Sequence, residues 1–129
     1  MEQVRLAPLV GIAGCLAVLG LLAYPYVVGD GGVGAYYGSG IVNPLMAGLL
    51  ALVATIIFAA GREGRTDPGF AAGVGLVFGA FIVAMLLAWA GTARLDTIAI
   101  SRWHRWITAG FAGLVPAGGL WFARALDII

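Results

Sequence analysis

The sequence predicts an all-α integral membrane protein, a bundle of four transmembrane helices with short loops. Of the 129 residues, 62% are hydrophobic and 10% are charged, whereas a soluble domain carries about 25% charged residues. The mean hydropathy is +1.03. The apolar residues gather into four stretches, each close to the roughly 20 residues that a helix needs to cross a bilayer.

These stretches predict a single membrane domain over residues 1–129. The predicted spans run over about residues 6–28, 41–60, 70–91 and 103–126. Backbone N–H and C=O groups cannot stay unpaired in lipid, so each stretch is expected to be a helix. The segments between them are too short to form a soluble domain.

The first span contains the only cysteine, Cys15, and a proline, Pro25. A lone cysteine cannot form an intrachain disulfide, and its apolar neighbours predict a buried thiol. The string Ile12 to Cys15 resembles a lipobox, but the apolar run continues to Val28, which favours a retained first span. Pro25 is expected to kink the helix near its end.

The starts of the second and third helices are marked by Asn43-Pro44 and Asp67-Pro68. An Asn or Asp cap accepts hydrogen bonds from the first turn, and a proline at the first helical position loses none. Capping is therefore the simplest role for both polar residues.

The fourth span follows ISRWHRW, residues 100–106. Asp96 is the predicted cap, which makes residues 97–102 an interfacial extension of the last helix. Within the span, Pro116 followed by Gly118-Gly119 predicts a kink.

Small residues recur at helical spacing and would let helix backbones approach one another. The stripes are Ala47, Ala51, Thr55 and Ala59; Ala71, Gly75 and Gly79; Ala80, Ala84 and Ala88; and Ala109, Gly113 and Ala117. Packing within one chain explains them most simply. Self-association is the second interpretation, because there are more stripes than one bundle requires.

The residue types argue against an enzyme, a cofactor or a metal site. No ionisable residue lies at mid-membrane depth in the predicted spans, which disfavours a proton-coupled pump or intramembrane acid–base catalysis. No His, Cys and carboxylate set has the spacing of metal ligands. The net charge of +1 leaves no basic patch for nucleic acid.

All seven basic residues are arginine, and their distribution between the loops weakly favours one orientation of the protein in the membrane. With the amino terminus in the cytoplasm, the inner arginines are Arg5, Arg62, Arg65 and Arg124, and the outer ones are Arg94, Arg102 and Arg105. We therefore predict a cell-membrane protein with a cytoplasmic amino terminus. All four tyrosines and three of the four tryptophans then fall on the outer side.

These outer aromatics predict an extracytoplasmic contact surface. Its residues are Tyr36, Tyr37, Trp89, Arg102, Trp103, His104, Arg105 and Trp106. Tyr and Trp anchor helices at membrane interfaces, and with Arg they dominate protein contacts. The expected partners are membrane lipid and a membrane-protein partner or second copy. His104 is expected to be interfacial, with pH sensing or ligand binding as the alternative.

The predicted function is that of a non-enzymatic structural or interaction subunit. The alternative is a small homo-oligomeric channel or carrier for a neutral or weakly charged solute, with Asn43 and Thr55 lining its pore. SGIVNPLMAG, residues 39–48, resembles the glycine-rich entry to the second span of fluoride channels. The family's arginine after a glycine motif in span one, and its phenylalanine-serine-threonine pattern in span three, are missing.

MEQVRLAPLVGIAGC at the start and SRWHRW before the last span resemble small uncharacterised four-span membrane proteins of halophilic archaea. The absence of lysine and the excess of alanine agree with this resemblance. It covers the full length, implies a four-span fold and assigns no activity.

Overall fold

The computed structural model describes residues 2–28, 37–38, 42–92 and 103–127, and these contain helices and turns but no strand. The helices are α1 (Glu2–Val28), α2 (Pro44–Arg62), α3 (Pro68–Thr92), α4 (Trp103–Ala112) and α5 (Leu114–Ala125). α4 and α5 follow each other through Gly113 as one span, Trp103–Ala125. The described residues thus form four helices long and apolar enough to cross a membrane, which confirms the predicted all-helical, four-helix fold.

The predicted starts of α2 and α3 are confirmed. The Asn43 Oδ1 accepts a hydrogen bond from the Leu45 N–H at 3.0 Å, and Pro44 occupies the first turn. α3 begins at Pro68, and the Asp67 carbonyl accepts from the Ala71 N–H at 3.0 Å. The intervening turn contains Gly64 at φ +73°, a conformation that glycine adopts without steric cost.

The four helices are arranged as a square in which neighbours are antiparallel. α1 packs against α2 and against α4 and α5, and α3 packs against the same two sides. The direction of α2 follows from two contacts. Its start lies beside the end of α1, where Gly48 faces Leu22. Its end lies beside the start of α1, where Arg62 reaches the Arg5 carbonyl.

Glycines allow the helices to meet at the centre of the bundle. The Phe58 ring of α2 lies between Gly11 and Gly75, where an added Cβ would be 2.4 Å and 2.3 Å from ring atoms. A Cβ on Gly118 would lie 2.4 Å from the Gly11 nitrogen, and one on Gly119 2.6 Å from the Leu76 nitrogen. Close backbone approach and one aromatic ring therefore fill the middle of the bundle.

Only some of the small-residue stripes face this interior. Ala71, Gly75 and Gly79 are all buried, whereas Ala80 and Ala84 on the same helix are exposed. In the last span Ala109 is buried but Ala117 is exposed. The stripe changes face because the span is interrupted at Gly113, close to the predicted kink at Pro116. α1, by contrast, continues without interruption through Pro25 to Val28.

Candidate functional site

Five ring side chains contact one another at the end of the bundle nearest His104, and we call this cluster the aromatic cap. Its members are Tyr24 and Tyr26 of α1, Tyr37, Trp89 of α3 and His104 of α4. His104 stacks on Tyr24 with ring centroids 5.9 Å apart and meets Trp89 edge-on at 6.2 Å. Tyr37 contacts Trp89 at 5.4 Å and Tyr26 at 6.0 Å, both edge-on. Such edge-on and stacked pairs add about 0.5–1.5 kcal/mol each beyond area burial.

His104 is buried and bonded to the backbone of α1. Its side chain is 5% exposed, and its Nε2 makes a hydrogen bond with the Leu21 carbonyl oxygen. A carbonyl only accepts, so Nε2 must carry the hydrogen. Leu21 lies four residues before Pro25, whose nitrogen has no hydrogen to donate. His104 therefore supplies the donor that the proline removes from the α1 ladder.

Tyr37 makes the second bond to this turn of α1. Its hydroxyl donates to the carbonyl of Leu22, and the side chain is fully buried. Consecutive carbonyls of α1 thus receive side-chain donors from α4 and from the segment between α1 and α2. A buried polar group without such a partner is costly, so these bonds fix how the three parts fit together.

Two indoles lie on the outer surface beside the cap. Trp103 is 60% exposed and Trp106 is 44% exposed, and residues three apart share a helix face. Arg105 is half-buried between them. The ISRWHRW motif therefore divides into an inward histidine and an outward pair of indoles, which we call the indole face.

The residues of the predicted contact surface occupy different environments. Trp103 and Trp106 are exposed, while Trp89, Tyr37 and His104 are buried inside the bundle. These three side chains pack on one another in the aromatic cap, so they do not form part of an outer contact surface. Tyr36, Arg102 and the proposed cap and extension at 96–102 lie outside the described residues. Nothing in the sequence pairs His104 or Tyr37 with α1; the only hint is Pro25 near the end of the first apolar run.

The polar side chains assigned to a pore in the alternative hypothesis bond locally. Asn43 caps α2, as described above. The Thr55 hydroxyl donates to the Ala51 carbonyl at 2.8 Å. Thr55 lies 12 positions after Asn43, which places the two residues about 18 Å apart along the helix axis.

The opposite end of the bundle is held by arginine rather than by rings. The Arg62 Nε donates to the Arg5 carbonyl at 2.9 Å, and its Nη1 contacts Glu63 at 2.9 Å. Arg5 lies three residues before Pro8, as Leu22 lies three before Pro25. In the described residues, no group of three His, Cys, Asp or Glu side chains is placed to hold a metal ion.

No curated protein and no solved structure matches this chain. The model of a family of unknown function, DUF7548, matches residues 1–127. That match covers almost the whole sequence, including every helix of the bundle, the aromatic cap and the indole face. The protein therefore belongs to this family of unknown function.

Proposed function

We propose that this protein is a multi-pass membrane protein acting as a non-enzymatic interaction subunit through its indole face. The observation that carries the proposal is the division of ISRWHRW. His104 is turned inward and bonded to α1, whereas Trp103 and Trp106 on the same turns face outward. Large indoles held in this way are suited to contact rather than to core packing.

A membrane location is supported by the outer surface of the four helices. Large apolar side chains are exposed on α1 and α2, including Val27 at 81%, Leu49 at 63% and Ile56 at 62%. Exposing apolar surface to water costs about 25 cal/mol per Å², a cost that lipid surroundings remove. Long apolar helices, in which the backbone N–H and C=O groups bond one another, are also the structures that can cross a bilayer.

The indole face has the properties of a preorganised contact surface. Tryptophan is enriched among residues that carry binding energy. The helix that presents Trp103 and Trp106 is fixed to α1 by the His104 bond, so little ordering entropy is lost on binding. The favoured partner is a membrane protein with a complementary aromatic or aliphatic face, and lipid at headgroup depth is the second occupant.

Orientation and origin belong to the same proposal. The four-to-three distribution of arginines supports a cytoplasmic amino terminus, which places the indole face on the extracytoplasmic side. The resemblance to four-span proteins of halophilic archaea supports an archaeal source for the chain, and it assigns no activity to it. A membrane-impermeant thiol reagent tests the orientation on chains with Cys15→Ser and one new cysteine at exposed Trp103 or exposed Arg65. Labelling from outside is expected at position 103 and not at position 65.

The function is tested by the mass of the intact protein released gently from its native membrane. A second protein is expected with the unmodified chain and to be lost when Trp103→Ala and Trp106→Ala are combined. Trp121→Ala is the matched control, because it removes a partly exposed indole from the other half of the span. The proposal fails if the double variant keeps its partner, or if the unmodified chain carries lipid alone.

The channel or carrier alternative has less support. Phe58 and the glycine contacts fill the middle of the bundle among the described residues, so a solute path would have to run between copies. A bare homodimer in the same mass measurement would favour it. The next experiment would then be solute flux in proteoliposomes, compared with Asn43→Ala and Thr55→Val variants.

A further inference from the structure

We propose that His104 and Tyr37 form a conformational latch across a proline hinge in α1. Each side chain bonds an α1 carbonyl that precedes Pro25 and packs its ring on a tyrosine of the last turn, residues 24–28, and together these contacts hold that turn against the bundle. When either donor is released, this turn moves outward about the segment from Leu21 to Pro25. The inference goes beyond the proposed function, because it concerns the conformation of one end of the bundle.

The hinge arises from the backbone chemistry of α1. A helical proline removes the hydrogen bond to the carbonyl four residues earlier and its ring crowds that carbonyl, at a cost of about 3 kcal/mol or more. Leu21 is that residue for Pro25. The turn after Leu21 therefore lacks one of the backbone hydrogen bonds that join successive turns of an uninterrupted helix.

The latch arises from where His104 and Tyr37 attach. His104 belongs to α4 and Tyr37 lies beyond the end of α1, and each bonds an α1 carbonyl that precedes Pro25. Both side chains are buried, which protects the bonds from competing water. The last turn also carries Tyr24 and Tyr26, which contact His104 and Tyr37 through their rings. Each of the two side chains thus joins the part of α1 before the hinge to the last turn, by a hydrogen bond on one side and a ring contact on the other.

Most of this turn otherwise lies at the surface. Val27 is 81% exposed, and Tyr24 and Tyr26 are 49% and 56% exposed. The ring contacts of Tyr24 with His104 and of Tyr26 with Tyr37 attach the turn to the described part of the bundle, and their loss would free the turn to move about the hinge.

The test measures distances in the full-length chain in lipid nanodiscs. Spin labels are placed at Val27→Cys and Leu87→Cys, both exposed sites, in a Cys15→Ser background. The control pair moves the first label to Leu16→Cys, an exposed site on α1 before the hinge. His104→Ala is expected to shift the Val27–Leu87 distances to longer, broader values and to leave the Leu16–Leu87 distances unchanged.

Two further variants make the test specific to the latch. Tyr37→Phe keeps the ring against Trp89 and Tyr26 and removes only the hydroxyl donor, so it is expected to give a smaller shift of the same kind. In a Pro25→Ala background, the new N–H at position 25 can bond Leu21, and His104→Ala is expected to leave the distances unchanged. The latch is overturned by unshifted distances in His104→Ala. It is equally overturned by the same shift with Pro25→Ala, or by an equal change in the control pair.

Discussion

Pro25 and Pro116 each remove a backbone hydrogen bond from an apolar span, and the two regions accommodate this loss differently. Each proline lies inside an apolar span and leaves the carbonyl four residues earlier without its helical donor. At Pro25 that carbonyl belongs to Leu21, His104 bonds it, and α1 continues to Val28. At Pro116 it belongs to Ala112, and α4 ends at this residue.

The neighbouring helix explains the difference. Beside Pro25 stands a helix with a long polar side chain, which reaches the freed carbonyl and lets the α1 rod persist. Beside Pro116 stands Gly79, and a Cβ there would lie 2.4 Å from the proline nitrogen. The span is interrupted at Gly113, whose N–H bonds the Gly110 carbonyl at 3.1 Å in a tighter turn. A proline in a membrane helix is thus accommodated either by a donor from outside the helix or by close packing against a glycine.

The largest expected effect tests the packing solution at Pro116. Gly79→Ala places a methyl group 2.4 Å from the Pro116 nitrogen and 2.7 Å from its Cδ, and backbone cannot move aside as a flexible side chain does. Overpacking usually costs about 1–3 kcal/mol, and we expect a loss at the upper end of this range. The measurement is the free energy of unfolding in mixed detergent micelles.

Gly73→Ala is the matched control on the same helix. An added Cβ there meets nothing within 4 Å, so its effect on the unfolding free energy should stay within about 0.5 kcal/mol. Equal losses in the two variants would mean that α3 tolerates no alanine for a general reason, and the contact with Pro116 would not be responsible.

An intermediate effect is expected at Pro25, where a double-mutant cycle isolates the donor solution. His104→Ala leaves the Leu21 carbonyl without its partner, and hydrogen bonds between membrane helices contribute about 0.6–2 kcal/mol. Pro25→Ala restores a backbone donor for the same carbonyl. The two changes together should therefore cost about 1 kcal/mol less than the sum of the two alone.

Thr108→Val provides the control for this cycle. The Thr108 hydroxyl donates to the His104 carbonyl within α4 at 2.7 Å, so its removal touches the same helix turn but not the proline site. Its effect should add to that of Pro25→Ala without coupling. An additive result for His104→Ala as well would show that Leu21 does not depend on the imidazole.

The contrast between the prolines also marks how far the sequence predicts this structure. The four helices follow from composition and apolar run length, because lipid demands paired backbone groups and sets the span. The starts at Pro44 and Pro68 follow from local rules that need no tertiary contact. The kink predicted at Pro116 follows from a local rule as well, and the observed interruption lies three residues earlier, at Gly113.

The site is less predictable, because it depends on which helices become neighbours. His104, Trp103 and Trp106 stand within four residues, and sequence alone assigns all three to one interfacial surface. Helix geometry turns His104 inward and the indoles outward, and only the position of α1 makes the Leu21 carbonyl the imidazole's partner. The sequence likewise does not show that α1 continues past Pro25, because the donor that bonds the Leu21 carbonyl is His104, which lies 79 residues after Pro25.

The smallest expected effect extends the comparison to Pro8, at the opposite end of α1. The Arg62 Nε donates to the Arg5 carbonyl at 2.9 Å, much as Tyr37 donates to Leu22, but the arginine side chain is 23% exposed. Water can replace a donor at such a site, so Arg62→Met should cost about 1 kcal/mol or less. Glu63→Gln is its control, since it removes only the charge that Arg62 meets and should change the unfolding free energy still less. A loss for Arg62→Met as large as that for His104→Ala would contradict the view that burial makes the Pro25 donors the stronger attachment.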